Sequence, residues 1–248
     1  MGKKNFKREI IKYLIKMDYF FIDIDGTITN NNPDKIYPEE KLVWGNAIFG
    51  VIRDVMVDEG WQPDEAKRAI EKYADKIIWW DYPDFIAEFN LPIEKTWERI
   101  YQWHYEYKIV YWDTVELIKE LHKKGKNLFI VSNNPIVGCL LNLKVAGLGD
   151  ITGSKYFERI LGANILRGQK HQIDLWKKAV AQIGVEGHKI VNIGDNTKED
   201  GDIPLNVGLK KCFIIRRDEE EKEENNKIIV KNPLSILKYI QKGEKDSL

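Results

Sequence analysis

The sequence predicts an α/β protein: a Rossmann-like parallel sheet core interrupted by a long, all-helical insert. Three observations predict it. The runs "YFFIDI", "NLFIV", "KIVNI" and "KCFII" are short, rich in Ile, Val or Phe, and bounded by polar residues or glycine, as buried parallel strands are. Helix-like patterns separate the later runs, and such alternation implies right-handed crossovers in an open sheet. One long segment breaks the alternation, with helical periodicity and no convincing strand.

Taken in chain order, residues 1–17, "MGKKNFKREIIKYLIKM", alternate apolar and charged residues without a signal-peptide core or cleavage site. They read as an amphipathic helix docked on the body, a membrane-surface helix being the alternative. The first strand run then leads to Asp23 and Asp25. Residues 31–109 form the helical insert. Its first pattern, "PEEKLVWGNAIFGVIRDVMVDEG", opens with a proline at the first turn and closes on Gly60. "PDEAKRAIEKYADKIIWW" follows, "DYPDF" marks a turn, and "PIEKTWERIYQWHYEYKIVYW" completes the set. Tryptophans concentrate here. Trp44, Trp97 and Trp103 are expected to pack the insert's core, and Trp79, Trp80 and Tyr82 to face a pocket. Arg53 is expected on a solvated helix face, and His104 as a core or surface residue rather than a ligand.

Residues 18–30 and 110–248 make up the α/β core. "DTVELIKELHKKG" places Val115, Ile118 and Leu121 on one helical face and stops at Gly125. "IDLWKKAVAQIG" repeats this with Leu175, Trp176, Ala179, Val180 and Ile183 before Gly184. Near the end, "RRDEEEKEENNK" reads as a solvated loop, "IIV" as a short last strand and "PLSILKYI" as a final helix.

Bulk properties exclude several functions. The 248 residues suit one large domain or a core plus a smaller module. Lys+Arg and Asp+Glu both number 39, so there is no basic field for a nucleic-acid partner. No apolar run approaches the ~20 residues of a membrane span. Cys139 and Cys212 sit far apart in apolar surroundings and read as core residues of a reducing compartment. A cytoplasmic location is expected, with neither nucleic acid nor membrane as partner.

Three strand runs end in polar clusters: Asp23 and Asp25, then "SNN" at Ser132 to Asn134, then "GDN" at Gly194 to Asn196. Each alone suits an ordinary strand-end turn. Together they should converge, because ligands of open α/β sheets bind beyond the carboxyl ends of the strands near a switch in strand order. Asp23, Asp25, Asp195 and Asp200 would then crowd several carboxylates together, a conflict that a divalent cation removes. All-oxygen ligands favour magnesium. Ser132 and Lys170 supply the partners of an anionic substrate group, lysine being a common point-charge partner of phosphate.

On these residues the chain resembles the haloacid dehalogenase superfamily of hydrolases, mostly phosphatases. "DIDGT" (Asp23 to Thr27) is similar to the family's first motif, Ser132 in "FIVSNN" to the second, Lys170 to the lysine of the third, and "GDNTKED" (Gly194 to Asp200) to the fourth. The third-motif lysine is usually followed by proline; here His171 follows. The resemblance implies magnesium-dependent hydrolysis of a phosphate monoester through an aspartyl-phosphate on Asp23. Asp25 would be the general acid and base, Gly26 and Thr27 would shape the intervening turn, and Thr27 would hold it by hydrogen bonding. Ser132 and the backbone around Asn133 would bind phosphate oxygens, and Lys170 would neutralise charge. Asp23, the Asp25 carbonyl and Asp195 would ligate Mg2+, with Asp200 acting through water. Asp202 reads as a solvated turn residue. The helical insert resembles the family's cap. An acid at Asp25 points to ester rather than halide leaving groups. The expected substrate is a small phosphorylated metabolite, the alternatives being a phosphomutase or a non-catalytic phosphate-binding scaffold. The aromatic cap could also form a homodimer face.

Overall fold

Alternation within the strand runs decides which side chains reach each face of the sheet. In "YFFI", Phe20 and Ile22 point one way and Phe21 the other. Phe20 and Ile22 join Leu128, Ile130, Val191, Ile193 and Phe213 in one buried cluster, while Phe21 joins Phe129, Val131, Leu175 and Trp176 in another. The computed structural model describes residues 17–77 and 81–245. The helix expected over residues 1–17, apart from Met17, and the pair Trp79 and Trp80 lie outside the described residues.

The strands are β1 (Tyr19–Ile22), β2 (Thr29–Asn31), β3 (Lys108–Val110), β4 (Asn127–Val131), β5 (Arg159–Leu161), β6 (Ile190–Gly194), β7 (Lys211–Ile215), β8 (Lys222–Glu224) and β9 (Lys227–Val230). Seven of them form one sheet in the order β5-β4-β1-β6-β7-β9-β8. All its pairings are parallel except β8 with β9. The central strand β1 has β4 on one side and β6 on the other, so Phe21 lies beside both Phe129 and Asn192. The chain leaves β1 in one direction and later returns to build the other half. That reversal of strand order is where an α/β sheet opens a crevice.

Helices of residues Ala47–Asp58, Pro63–Ala74, Tyr82–Glu88 and Ile93–Tyr107 form the cap. Their buried faces, including Phe49, Ile52, Met56, Ile70, Phe85 and Ile100, make a third cluster that also takes in Leu141 of the core. Asn46 caps the first of these helices by accepting from the Ile48 N–H, 2.8 Å away.

Several expectations are corrected. The insert is flanked by strands after all: β2 and β3 pair antiparallel, Thr29 opposite Val110 and Asn31 opposite Lys108, as a ribbon joining cap to core. Neither run is apolar enough to announce itself, and the pairing spans the whole insert. "DYPDF" begins a helix rather than a turn, with Asp81 as its N-cap and proline in its first turn. Trp44 is 55% exposed, because it sits in a left-handed turn (φ 54°) before the helix it was expected to pack. Arg53 is buried, held by Asp54 at 2.5 Å and the Glu40 carbonyl at 3.2 Å. Part of the charged stretch forms the exposed edge strand β8; edge strands carry charge because it blocks further pairing.

Candidate active site

The first turn begins before β1 has stopped pairing. Asp23 N–H still donates to the Ile193 carbonyl at 2.9 Å, so the Asp23 carboxylate is fixed by the sheet itself. The chain then folds back: the N–H groups of Thr27, Ile28 and Thr29 reach the Ile24 carbonyl at 3.2, 2.8 and 3.0 Å. Gly26 adopts φ 75°, open to glycine at little cost. A Cβ there would also lie 2.1 Å from Asp195 Oδ2. Glycine thus permits both the turn and the close approach of the next carboxylate. The expected hydrogen bond from the Thr27 side chain is not made. Its hydroxyl is buried without a partner among the described residues, and backbone groups hold the turn instead.

After β6 the chain enters a π-helical turn, Thr197–Asp202, a widened geometry common at functional sites. Asn196 opens it by accepting from the Lys198 and Glu199 N–H groups at 3.0 and 2.9 Å. The wide turn folds Asp200 back beneath β6. Asp200 Oδ2 accepts from the Asn196 N–H at 3.1 Å, and its carbonyl accepts from Asn192 Nδ2 at 2.7 Å. A Cβ on Gly194 would come within 2.2 Å of Asp200 Cγ, so this glycine too clears space for an acid.

Asp23, Asp195 and Asp200 offer carboxylate oxygens within 4.8 Å of one another. Lys170 Nζ bridges two of them, 2.8 Å from Asp23 and 2.9 Å from Asp200. The lysine is held from both ends of its own peptide: its N–H donates to Asn133 Oδ1 at 2.7 Å, and its carbonyl accepts from Trp176 Nε1 at 2.9 Å. With Trp176 fully buried, Lys170 is anchored although His171 stands where proline is usual.

The electrostatics follow from burial. Desolvation pushes the Asp23 carboxyl well above the usual range, opposed by Lys170 and reinforced by Asp200 and Asp25. Burial, then Asp200, raises Asp195. Burial disfavours the Lys170 ammonium, but Asp23 and Asp200 outweigh it and hold the group above an ordinary lysine. Lys170 thus pairs directly with two of the three crowded carboxylates, and Arg216 joins it in opposing the rise at Asp195. Asp23 Oδ1 meets Lys170 Nζ at 2.8 Å as an ion pair, outside hydrogen-bond geometry. Three carboxylates whose hard oxygen donors converge in a largely buried site fit a small divalent cation.

The other predicted residues surround this cluster. Ser132 is buried just beyond β4, its hydroxyl accepting from the Asn134 N–H at 3.2 Å. The Asn133 side chain spans Lys170 and Glu199, the latter at 3.0 Å. Asp202 pairs with Lys227 at 2.7 Å, away from the cluster. The Asp25 side chain stands outside the three-acid group. Lys108 Nζ lies 2.9 Å from one of its oxygens, and Asn134 Nδ2 donates to the other. Sequence reasoning missed Lys108 as a site residue. It lies on β3, and only the ribbon pairing brings it back to Asp25.

Beyond Asp25 a cavity of about 740 Å³ opens between core and cap. Asp25, Tyr82, Trp103, His104, Lys108 and Asn134 are among its walls. Of the three expected cap contacts, Tyr82 lines this cavity.

A family model described as haloacid dehalogenase-like hydrolase matches residues 17–202. No curated protein matches the chain in sequence. Among solved structures, a HAD phosphatase from Thermococcus onnurineus is similar at TM-score 0.56 and 24% identity, covering 90% of this chain and 98% of that one. An L-2-haloacid dehalogenase is similar at TM-score 0.54 and 18% identity, covering 91% and 99%. CbbY from Rhodobacter sphaeroides, solved in complex with phosphate, is similar at TM-score 0.51 and 16% identity, covering 89% and 96%. At these identities the neighbours share the fold, and their different chemistries leave the leaving group to be argued from the site. The family match over most of the chain, on the strand-end acids and lysine just described, makes this protein a member of the haloacid dehalogenase-like hydrolases.

Proposed function

We propose that the protein is a magnesium-dependent phosphomonoesterase acting on a small phosphorylated metabolite. The observation that carries this reading is the second carboxylate, Asp25, in the cavity wall and outside the three-acid cluster. A halide leaves without a proton, whereas an alkoxide needs one. An acid held on the cavity side of the nucleophile therefore favours ester cleavage over dehalogenation.

Asp23 attacks phosphorus, forming an Asp23 oxygen–phosphorus bond as the ester oxygen–phosphorus bond breaks. Asp25 gives its proton to the leaving oxygen. It then takes a proton from the water that attacks the aspartyl-phosphate, and inorganic phosphate departs. The Ser132 hydroxyl and the N–H groups around Asn133 hold the phosphoryl oxygens. Lys170 offsets the charge on Asp23 and the phosphoryl group. Lys108 and Asn134 keep the Asp25 carboxyl aimed at the leaving oxygen. Asp23, the Asp25 carbonyl and Asp195 would hold Mg2+, with Asp200 acting through water, and the ion supplies charge neutralisation for the phosphoryl group when bound. The cap and ribbon cover the site while the Asp25 side chain stays 44% exposed, and the cavity volume suits a small ligand (typically ~300–1,000 Å³). Cys139 and Cys212 are free and buried, in keeping with a cytoplasmic enzyme. Among the described residues no helix is long and apolar enough to cross a membrane.

The test is hydrolysis of a chromogenic phosphate ester. Turnover is expected with magnesium, and none above background with EDTA or with Asp23→Asn. EDTA-resistant turnover refutes the metal assignment. Consumption of substrate without release of inorganic phosphate would move the assignment to a phosphomutase.

A further inference from the structure

One cavity wall carries a polar atom that the reaction above does not use. His104 lies on the Ile93–Tyr107 helix, is 2% exposed, and lines the same cavity as Asp25 and Lys108. Its Nδ1 is 2.9 Å from the Ile100 carbonyl. A carbonyl only accepts, so Nδ1 carries the proton and Nε2 presents a bare lone pair. Burial lowers the imidazole pKa to about 4, against a raising effect of the Ile100 contact, so the ring is neutral near pH 7. Nε2 has no protein partner among the described residues. Among the described residues the enclosed, unpartnered side-chain polar atoms are Asp23 Oδ1, Thr27 Oγ1, Trp103 Nε1 and Arg216 Nε, and Nε2 is not one of them. With the ring among the cavity walls, Nε2 is the polar atom it brings to that space. Tyr82 and Trp103 hold the ring in place, their ring centroids 6.2 and 4.9 Å from it in edge-on contacts.

A buried acceptor next to the reacting centre calls for a donor. Trp103 Nε1–H is enclosed and makes no hydrogen bond to this ring among the described residues, and Lys108 is committed to Asp25 at 2.9 Å, which leaves a ligand entering the cavity to bring the donor. A second anionic group on the substrate would meet a lone pair and be disfavoured. A hydroxyl satisfies it, and the aromatic walls suit the C–H faces of a hydroxylated carbon chain. We propose that His104 determines specificity by accepting a hydrogen bond from a hydroxyl on the alcohol half of the ester, selecting polyol-like or sugar-like phosphates over plain alkyl phosphates. This rests on the phosphomonoesterase reading and narrows it to a substrate class.

Two phosphonates that cannot be hydrolysed separate this assignment from that reading: butylphosphonate and its dihydroxylated analogue, the isostere of glycerol phosphate. Each is titrated into the full chain with magnesium, followed by imidazole nitrogen NMR of His104 and by the amide signals of Ser132 and Asn133. Both ligands are expected to move the amides, and only the hydroxylated one to move Nε2. If the amides respond and Nε2 stays put with both, the His104 assignment is overturned. If the amides respond to neither, the phosphatase reading itself fails, and this assignment with it. In turnover, the kcat/KM preference for glycerol phosphate over propyl phosphate should fall about tenfold in His104→Phe, the size of one lost hydrogen bond. His104→Gln, whose amide oxygen can replace Nε2 as acceptor, should restore most of it. An unchanged preference in His104→Phe overturns the proposal.

Discussion

On the sheet side of the site, the three clustered acids are placed by local backbone. Asp23 is held by strand pairing, Asp195 by a neighbouring turn with no Cβ, and Asp200 by a π-helical turn folded against Gly194. On the cap side, the cavity is walled by helix faces and by the connection of residues 32–46, where Ile36 and Trp44 stand exposed. The difference separates two tasks. On the phosphomonoesterase reading proposed above, chemistry on phosphorus needs charges fixed to within fractions of an ångström. Recognition of the leaving group needs a wall whose residues can differ without disturbing those charges.

The largest expected effect comes from violating the rigid side. Gly26→Ala puts a Cβ 2.1 Å from Asp195 Oδ2 and a side chain at φ 75°. The left-handed backbone alone costs about 1–2 kcal/mol. Displacing Asp195 should lower kcat about a hundredfold or more. Urea unfolding and phosphate release measure the two separately. Wild-type turnover in this variant would show that the acid cluster tolerates looseness and would erase the distinction between the two sides.

Lys108→Met tests the joint between them. Lys108 comes from the ribbon, Asp25 from the core, and their ion pair couples cap to acid. Losing it should reduce kcat about ten- to a hundredfold, with a smaller change in KM, because Asp25 is misaimed while phosphate binding stays intact. Steady-state kinetics on one ester suffice. A change confined to KM would place Lys108 in ground-state binding instead.

Packing supplies the next contrast. Trp103→Ala removes a buried ring from the cap and should cost about 3–5 kcal/mol. Trp44→Ala removes an exposed one and should stay within about 0.5 kcal/mol. Equal costs in denaturant unfolding would mean that Trp44 packs against something in solution.

The smallest effect is a pH dependence at the seam. Asp81 caps the Tyr82–Glu88 helix and accepts from Asn164 of the core at 2.8 Å. Burial raises its pKa from 3.8 to about 6. In the unfolded chain the group ionises first, so between those values the folded state binds more protons, and stability falls as pH rises from 3.8 to about 6. Asp81→Asn cannot titrate. Its unfolding midpoint should lose less over that interval than the wild type does, and parallel curves would refute the assignment.

Local sequence carried much of the sheet side. Asp23, Ser132 and Asp195 each follow an apolar run directly, so a reader who finds the strands finds the acids at their ends. His104 was visible only as one histidine in a helix. Its tautomer depends on the Ile100 carbonyl one turn back, and its use depends on a cavity that no helical period reveals. Trp44 shows the limit from the other direction: an aromatic side chain favours burial, but a left-handed turn aimed this one outward.

By itself the sequence determined the strand runs, the polar residues at their carboxyl ends and the family, because each is encoded within a few neighbouring residues. Tertiary structure alone decided that Lys108 meets Asp25, that Asn134 flanks it, and that His104 lines the cavity. Those contacts join residues separated by an entire domain. Their geometry is set by the β2–β3 ribbon and the packing of the cap, whose interactions are summed over many side chains and written in no single stretch of chain.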